Sequence, residues 1–197
     1  MEIILQVPTS DAWLTKAATS LESLLSDHAE CEKKAAVSAI NFTRYFHDDH
    51  RILKQLALIA REEMRHYDRV LYWIDTLGYS YQPTQASGYA KCLHSKVRSG
   101  REGVLDRLLI AAVIEARSCE RFLCLVPYLP EKLAGFYHKR YEAEKRHAQV
   151  YLDFATAWCG DSSWQSRFSS LLAWEAEVIA TTEHVFAFHS GVPADAA

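Results

Sequence analysis

The pattern Glu-x-x-His occurs twice in this chain, as Glu63 and His66 within EEMRH and as Glu144 and His147 within EAEKRH. On a helix, residues three apart lie side by side, so each pair can serve as an ion pair or as two ligands of one metal ion. Composition alone supplies about 0.7 such matches, so the motif by itself decides little. The face of the helix on which each pair falls carries more weight.

Helical periodicity supplies that test. Leu56, Ile59, Glu63, His66, Val70, Trp73 and Leu77 recur at steps of three and four, and so do Tyr137, Tyr141, Glu144, His147, Tyr151, Phe154 and Trp158. Both pairs are therefore expected on inward faces, where a carboxylate is paired or bound to metal because leaving it alone is costly. Two earlier stripes place one more carboxylate each on such a face. Glu32 falls in line with Leu25, Ala29, Ala36 and Ala39, whereas Glu30 sits beside Lys33 and Lys34. Glu115 falls in line with Leu108, Ala112, Cys119 and Phe122, and Glu120 points elsewhere.

The inventory is Glu32, Glu63, His66, Glu115, Glu144 and His147, with 31 residues from Glu32 to Glu63 and 29 from Glu115 to Glu144. One Glu from each of two helices, plus Glu-x-x-His from each of two others, is the donor set of a di-iron carboxylate site. Hard oxygen donors with imidazole suit iron or manganese rather than zinc. The competing reading is two surface pairs of no chemical consequence. His28 is expected as an outer support of the site or as a core histidine; His47 and His50 flank a turn.

The elements that must position these residues are marked by breakers. Glycine and proline are absent from 9–77, 104–126, 136–159 and 161–190, and gather at Gly78, Pro83, Gly88, Gly100, Gly103, Pro127, Pro130, Gly135, Gly160, Gly191 and Pro193. Long breaker-free stretches predict an all-α antiparallel bundle in a single domain, 1–197. Helices are expected near 10–18, 20–46, 50–77, 101–126, 130–158 and 163–189. Thr19-x-x-Glu22, Ser99-x-x-Glu102 and Ser162-x-x-Gln165 have the form of capping boxes, Asp48 or Asp49 can cap the third helix, and Pro130 suits a first turn. The connection 78–99 shows no helical period, and strand-like alternation is essentially absent.

Composition narrows the function. Hydrophobic residues make up 49% and the formal net charge is −3, so any nucleic-acid contact must come from a local patch. The longest aliphatic run, 108–114, is too short to span a bilayer, and the N-terminus lacks a secretory pattern. Five cysteines without a C-x-x-C suit reduced thiols in a cytoplasm. The candidate patch is the connection itself: Tyr79, Tyr81, Tyr89, Lys91, His94, Lys96, Arg98 and Arg101, with Lys139, Arg140, Lys145 and Arg146 as a second choice.

The segments DHAECEKKAA, AREEMRHYDRV, IEARSCERF and YEAEKRHAQVY resemble the family of tRNA hydroxylases that oxidise the isopentenyl group of methylthiolated isopentenyladenosine beside the anticodon. The resemblance spans roughly residues 10 to 190. It implies a ferritin-like four-helix bundle with additional N- and C-terminal helices. It further implies a cytoplasmic non-haem di-iron monooxygenase that uses two iron ions, dioxygen and two electrons from an electron-donor protein or reductase. The substrate would be a tRNA anticodon loop, and the six residues above would be the metal ligands. Two other classes compete: a ferritin-like iron-storage or ferroxidase protein, and a non-catalytic helical RNA-binding protein. A rubrerythrin-type peroxidase is disfavoured by the missing C-x-x-C.

Overall fold

The breaker-free stretches fold as helices. The computed structural model describes residues 3–82 and 87–194; Pro83 and both extreme ends of the expected 1–197 domain lie outside the described residues. Contacts divide the chain into two compact units.

One unit comprises residues 20–82 with 186–188. Its body is α2, Leu21–Phe42, and α3, His50–Thr76, joined by a single 3-10 turn at Thr43–Tyr45. Asp49 caps α3: its side chain accepts from the Arg51 and Ile52 amides, which have no carbonyl partner within the first turn. The buried positions of α3, Ile52, Leu56, Ile59, Ala60, Glu63, His66, Val70 and Ile74, trace one stripe, and Leu25, Glu32, Ala36 and Ala39 lie on another on α2.

The other unit holds 3–19, 87–185 and 189–194. Helix α1 spans Asp11–Thr19, α4 Tyr89–His94, α5 Gly100–Leu125, α6 Glu131–Cys159 and α7 Gln165–Ile179. Helices α5 and α6 run antiparallel, since Cys119 reaches the Tyr141 carbonyl while Phe122, further along α5, packs edge-on against Tyr137, further back on α6. Gly160 ends α6 with a positive φ of 84°, a conformation that glycine adopts without Cβ strain. Helix α5 is buried nearly all round, including Asp106, Arg117 and Arg121.

Several expected details differ. Helix α7 ends at Ile179 rather than near 189, and the chain then forms a two-residue parallel bridge, β1 Thr182–Glu183 with β2 Val192–Pro193. Gly191 permits it: a Cβ there would lie 2.0 Å from the Thr181 carbonyl oxygen. The connection 78–99 contains α4, too short to show a period. None of the three capping boxes forms. The Thr19 hydroxyl bonds back to the Thr15 and Lys16 carbonyls, and Glu22 accepts from the Ser80 amide. Glu102 pairs with Arg98, and Asp161 accepts from the Ser163 amide, so that α7 starts later, behind Trp164. Pro130 occupies the N-cap of α6 rather than its first turn.

Candidate metal centre

Each unit carries one triad of two carboxylates and an imidazole. In the α2–α3 unit, Glu32, Glu63 and His66 are all buried and offer ligand atoms within 4.8 Å of one another. His66 Nδ1 lies 3.1 Å from Glu63 Oε2 and 3.4 Å from Glu32 Oε2. In the α5–α6 unit, Glu115, Glu144 and His147 are likewise buried and mutually within 4.8 Å, with His147 Nδ1 3.2 Å from Glu144 Oε2. Both histidines thus turn the same ring nitrogen toward carboxylate oxygens. The buried oxygens Glu63 Oε1 and Glu144 Oε1 accept no hydrogen bond. Carboxylate atoms in that condition are costly without a cation. The donor set fits a metal ion.

The choice between neighbouring carboxylates follows the periodicity. Glu30 bonds to Lys33 at 2.5 Å and to the Tyr81 hydroxyl. Burial alone would raise its pKa, but those two donors hold it below the ordinary carboxylate value. Glu120 accepts from the Thr9 amide and hydroxyl and from Arg117.

Around each triad the surroundings differ. His28, one turn before Glu32, places Nε2 2.7 Å from Glu32 Oε1, and its ring stacks on Phe188 at 4.9 Å. The Phe188 amide in turn donates to buried Asp27. Beside the other triad, Cys119 follows Glu115 by one turn. Burial first, then the Glu144 and Glu115 carboxylates, push its thiol well above the ordinary value.

Sequence reasoning missed the charges on the far face of α5. Arg117, about 200° around the helix from Glu115, bonds to Glu175 through two nitrogens at 2.8 and 3.0 Å, and to Glu120 and the Val7 carbonyl. Tyr89 also donates to Glu175, and its ring stacks on His189. Arg121 lies 4.0 Å over the Trp13 ring and donates to the Ser190 carbonyl. Burial, helped by Arg117, lowers its pKa to about 9. The two carboxylates on Arg117 make its burial tolerable and tie this face of α5 to α7. The lone arginines in ARSCERF gave no periodic signal, because charges are ordinarily on the solvated side.

The expected RNA-contact residues do not behave as one set. Tyr79 and Tyr81 are half-buried, and Tyr81 is tied to Glu30. Tyr89 is buried and offers no ring face to a base. Arg98 is bound through its guanidinium to Asp106. Lys91, His94, Lys96 and Arg101 are exposed, with Lys96 over the Trp174 ring and Arg101 against Trp158. His47 is exposed beside Asp48, and His50 opens α3.

The sequence pattern of the tRNA-(ms2io6A)-hydroxylase (MiaE) family matches residues 1–190. The chain belongs to the MiaE family. Among MiaE relatives, a tRNA 2-(methylsulfanyl)-N(6)-isopentenyladenosine(37) hydroxylase of Pseudomonas putida is 38% identical, covering 98% of this chain and 95% of that protein. A hydroxylase of the same description from Salmonella typhimurium is 30% identical, over 96% of this chain and 88% of its own. A solved Synechococcus protein with aldehyde deformylating oxygenase activity superposes with a TM-score of 0.87 at 28% identity, covering 96% of this chain and 98% of that one. The MiaE chain therefore has the ferritin-like, all-α fold that the four quoted segments implied.

Proposed function

We propose that this chain hydroxylates the isopentenyl group of 2-methylthio-isopentenyladenosine in a tRNA anticodon loop, and that its two Glu, Glu, His triads hold two irons. The observation that carries the reading is the coincidence of a full-length MiaE match with two buried triads of the same composition. Bound iron would supply dioxygen activation, with two electrons from a donor protein or reductase.

The chain's own residues supply the setting for that chemistry. Glu32, Glu63, Glu115 and Glu144 offer anionic oxygens to hard cations, and His66 and His147 offer Nδ1. Leu56, Ile59, Phe122 and Tyr151, on the same helical stripes as the triads, are buried and would keep their surroundings apolar. His28 holds Glu32 in orientation, as an outer hydrogen bond commonly does for a ligating side chain. Both units belong to one catalytic domain in this reading. No described helix is long and apolar enough to cross a membrane, which suits work on tRNA in the cytoplasm.

The test is mass spectrometry of tRNA nucleosides from cells with and without the protein, joined to turnover of prenylated tRNA by the purified, iron-loaded protein under labelled dioxygen with a chemical reductant supplying the two electrons. Label in the hydroxylated nucleoside is expected. Iron mineralisation without nucleoside oxidation would favour the ferroxidase reading, and absence of bound metal the non-catalytic RNA-binding reading.

A further inference from the structure

A cavity of about 70 Å³ opens between α5 and α6. Its walls are Ala116 and Cys119 from α5, Tyr141, Lys145, Ala148 and Gln149 from α6, and half-buried Ile3 from the segment before α1. Cys119 lies one turn after Glu115, and Tyr141 and Ala148 lie one turn before and one turn after Glu144. The cavity thus lies alongside the second triad. Its inner walls are small and apolar: Ala116, Cys119 and Ala148 are buried. Its mouth is different, with a half-buried phenol at Tyr141 and an exposed ammonium at Lys145, whose Nζ lies 3.5 Å from the Tyr141 hydroxyl.

Size and chemistry limit the occupant. A cavity of roughly 150 Å³ takes a six-carbon ring, so this one takes about three carbons and excludes a purine. Three carbons are the two methyls of an isopentenyl group and the carbon that bears them. A ring stacked outside the cavity would meet Tyr141, since unpaired bases favour aromatic faces, and a flanking phosphate would meet Lys145.

We propose that this slot seats the branched end of the substrate's isopentenyl group, with Tyr141 against the adenine ring and Lys145 on an adjacent phosphate. The assignment rests on the tRNA hydroxylase reading and adds the residues that select a prenylated base. Cys119 is the floor of the slot. Its thiol feels both Glu115 and Glu144, and it bonds to the Tyr141 carbonyl at 3.6 Å, so it stands between the slot and the second triad.

The experiment uses an anticodon stem-loop RNA with methylthio-isopentenyladenosine and the same RNA with plain adenosine. Wild type should bind the prenylated RNA about tenfold more tightly, the scale on which an apolar slot discriminates. Ala148→Leu fills the slot. It should erase that preference and raise KM on the prenylated RNA at least fivefold, leaving affinity for plain RNA and metal per chain unchanged. Lys145→Gln, at an exposed position that the fold tolerates, should lower the slope of log affinity against log salt by about 0.7 on both RNAs. If Ala148→Leu folds and keeps the preference, or Lys145→Gln keeps the slope, the slot is wrongly assigned. Wild-type protein that turns over no prenylated RNA would instead sink the functional reading itself. The two failures are therefore distinct.

Discussion

His28 Nε2 lies 2.7 Å from Glu32 Oε1, one turn apart on α2 and both out of water. The corresponding position before Glu115 is Ala111, which can donate nothing. The two triads share a ligand set, and their helices differ in the residue one turn before the first Glu. His28→Ala should therefore weaken metal binding roughly 10–100-fold, with the loss confined to one of two ions. Chelator competition followed by metal analysis reads this, with circular dichroism as the control for folding. Two ions held with unchanged affinity would mean that His28 is only a core residue.

Glu32→Ala should abolish hydroxylation and remove metal, whereas Glu30→Ala should largely spare both. Glu30 faces Lys33 and Tyr81, so its removal costs a half-buried pairing worth on the order of 1 kcal/mol. The reverse pattern in a metal assay would show that the wrong carboxylate has been assigned.

Glu115→Ala and His147→Ala should each lose metal before they lose fold. Neither residue supplies the apolar area that stabilises α5 and α6, so helical signal should stay close to that of wild type. Two metal ions per chain in either variant would contradict the ligand assignment.

Asp106 is buried between Arg98 and Arg167. Burial opposes ionisation, but the two guanidiniums win and hold its pKa well below the ordinary carboxylate value. A depressed carboxyl contributes stability that is present above its unfolded pKa, near 4, and is lost as pH falls toward its folded one. Asp106→Asn should cost about 3 kcal/mol at pH 7, and the gap to wild type should narrow below about pH 4. Urea unfolding at pH 7 and pH 3 reads the difference; a gap that widens in acid would refute the pairing.

Arg98 and its neighbours should separate in the same way. Neutralising Lys91, Lys96 and Arg101 to Gln should flatten the salt dependence of tRNA affinity if they touch phosphate. Arg98→Gln should chiefly lower stability, because its guanidinium already serves Asp106. Equal effects on RNA binding from all four would place Arg98 on the RNA surface after all.

The triads were legible because a buried carboxylate interrupts an apolar stripe, and such interruptions repeat in four helices. Glu32 separated from Glu30 on that ground alone. Short or tertiary features were not legible. Helix α4 has six residues, fewer than two turns, and so shows no period in which Tyr89 could be seen to be buried. The end of α7 carries no breaker; the chain leaves the helix there and pairs at the β1–β2 bridge, while further on the Phe188 amide meets Asp27, 161 residues away. Capping patterns failed for a local reason: Glu22 and Glu102 found other partners, at Ser80 and Arg98.

The ring of Phe188 on His28 gives the segment beyond α7 a weight that its irregular backbone conceals. A nonsense codon at position 180 would leave α1 to α7 and all six candidate ligands encoded. It would nonetheless delete the stacked ring, the amide held by Asp27, and the Ser190 carbonyl that Arg121 grips. Such an allele should behave genetically as a null, and a complementation screen would map the loss to a stretch that contains no ligand at all.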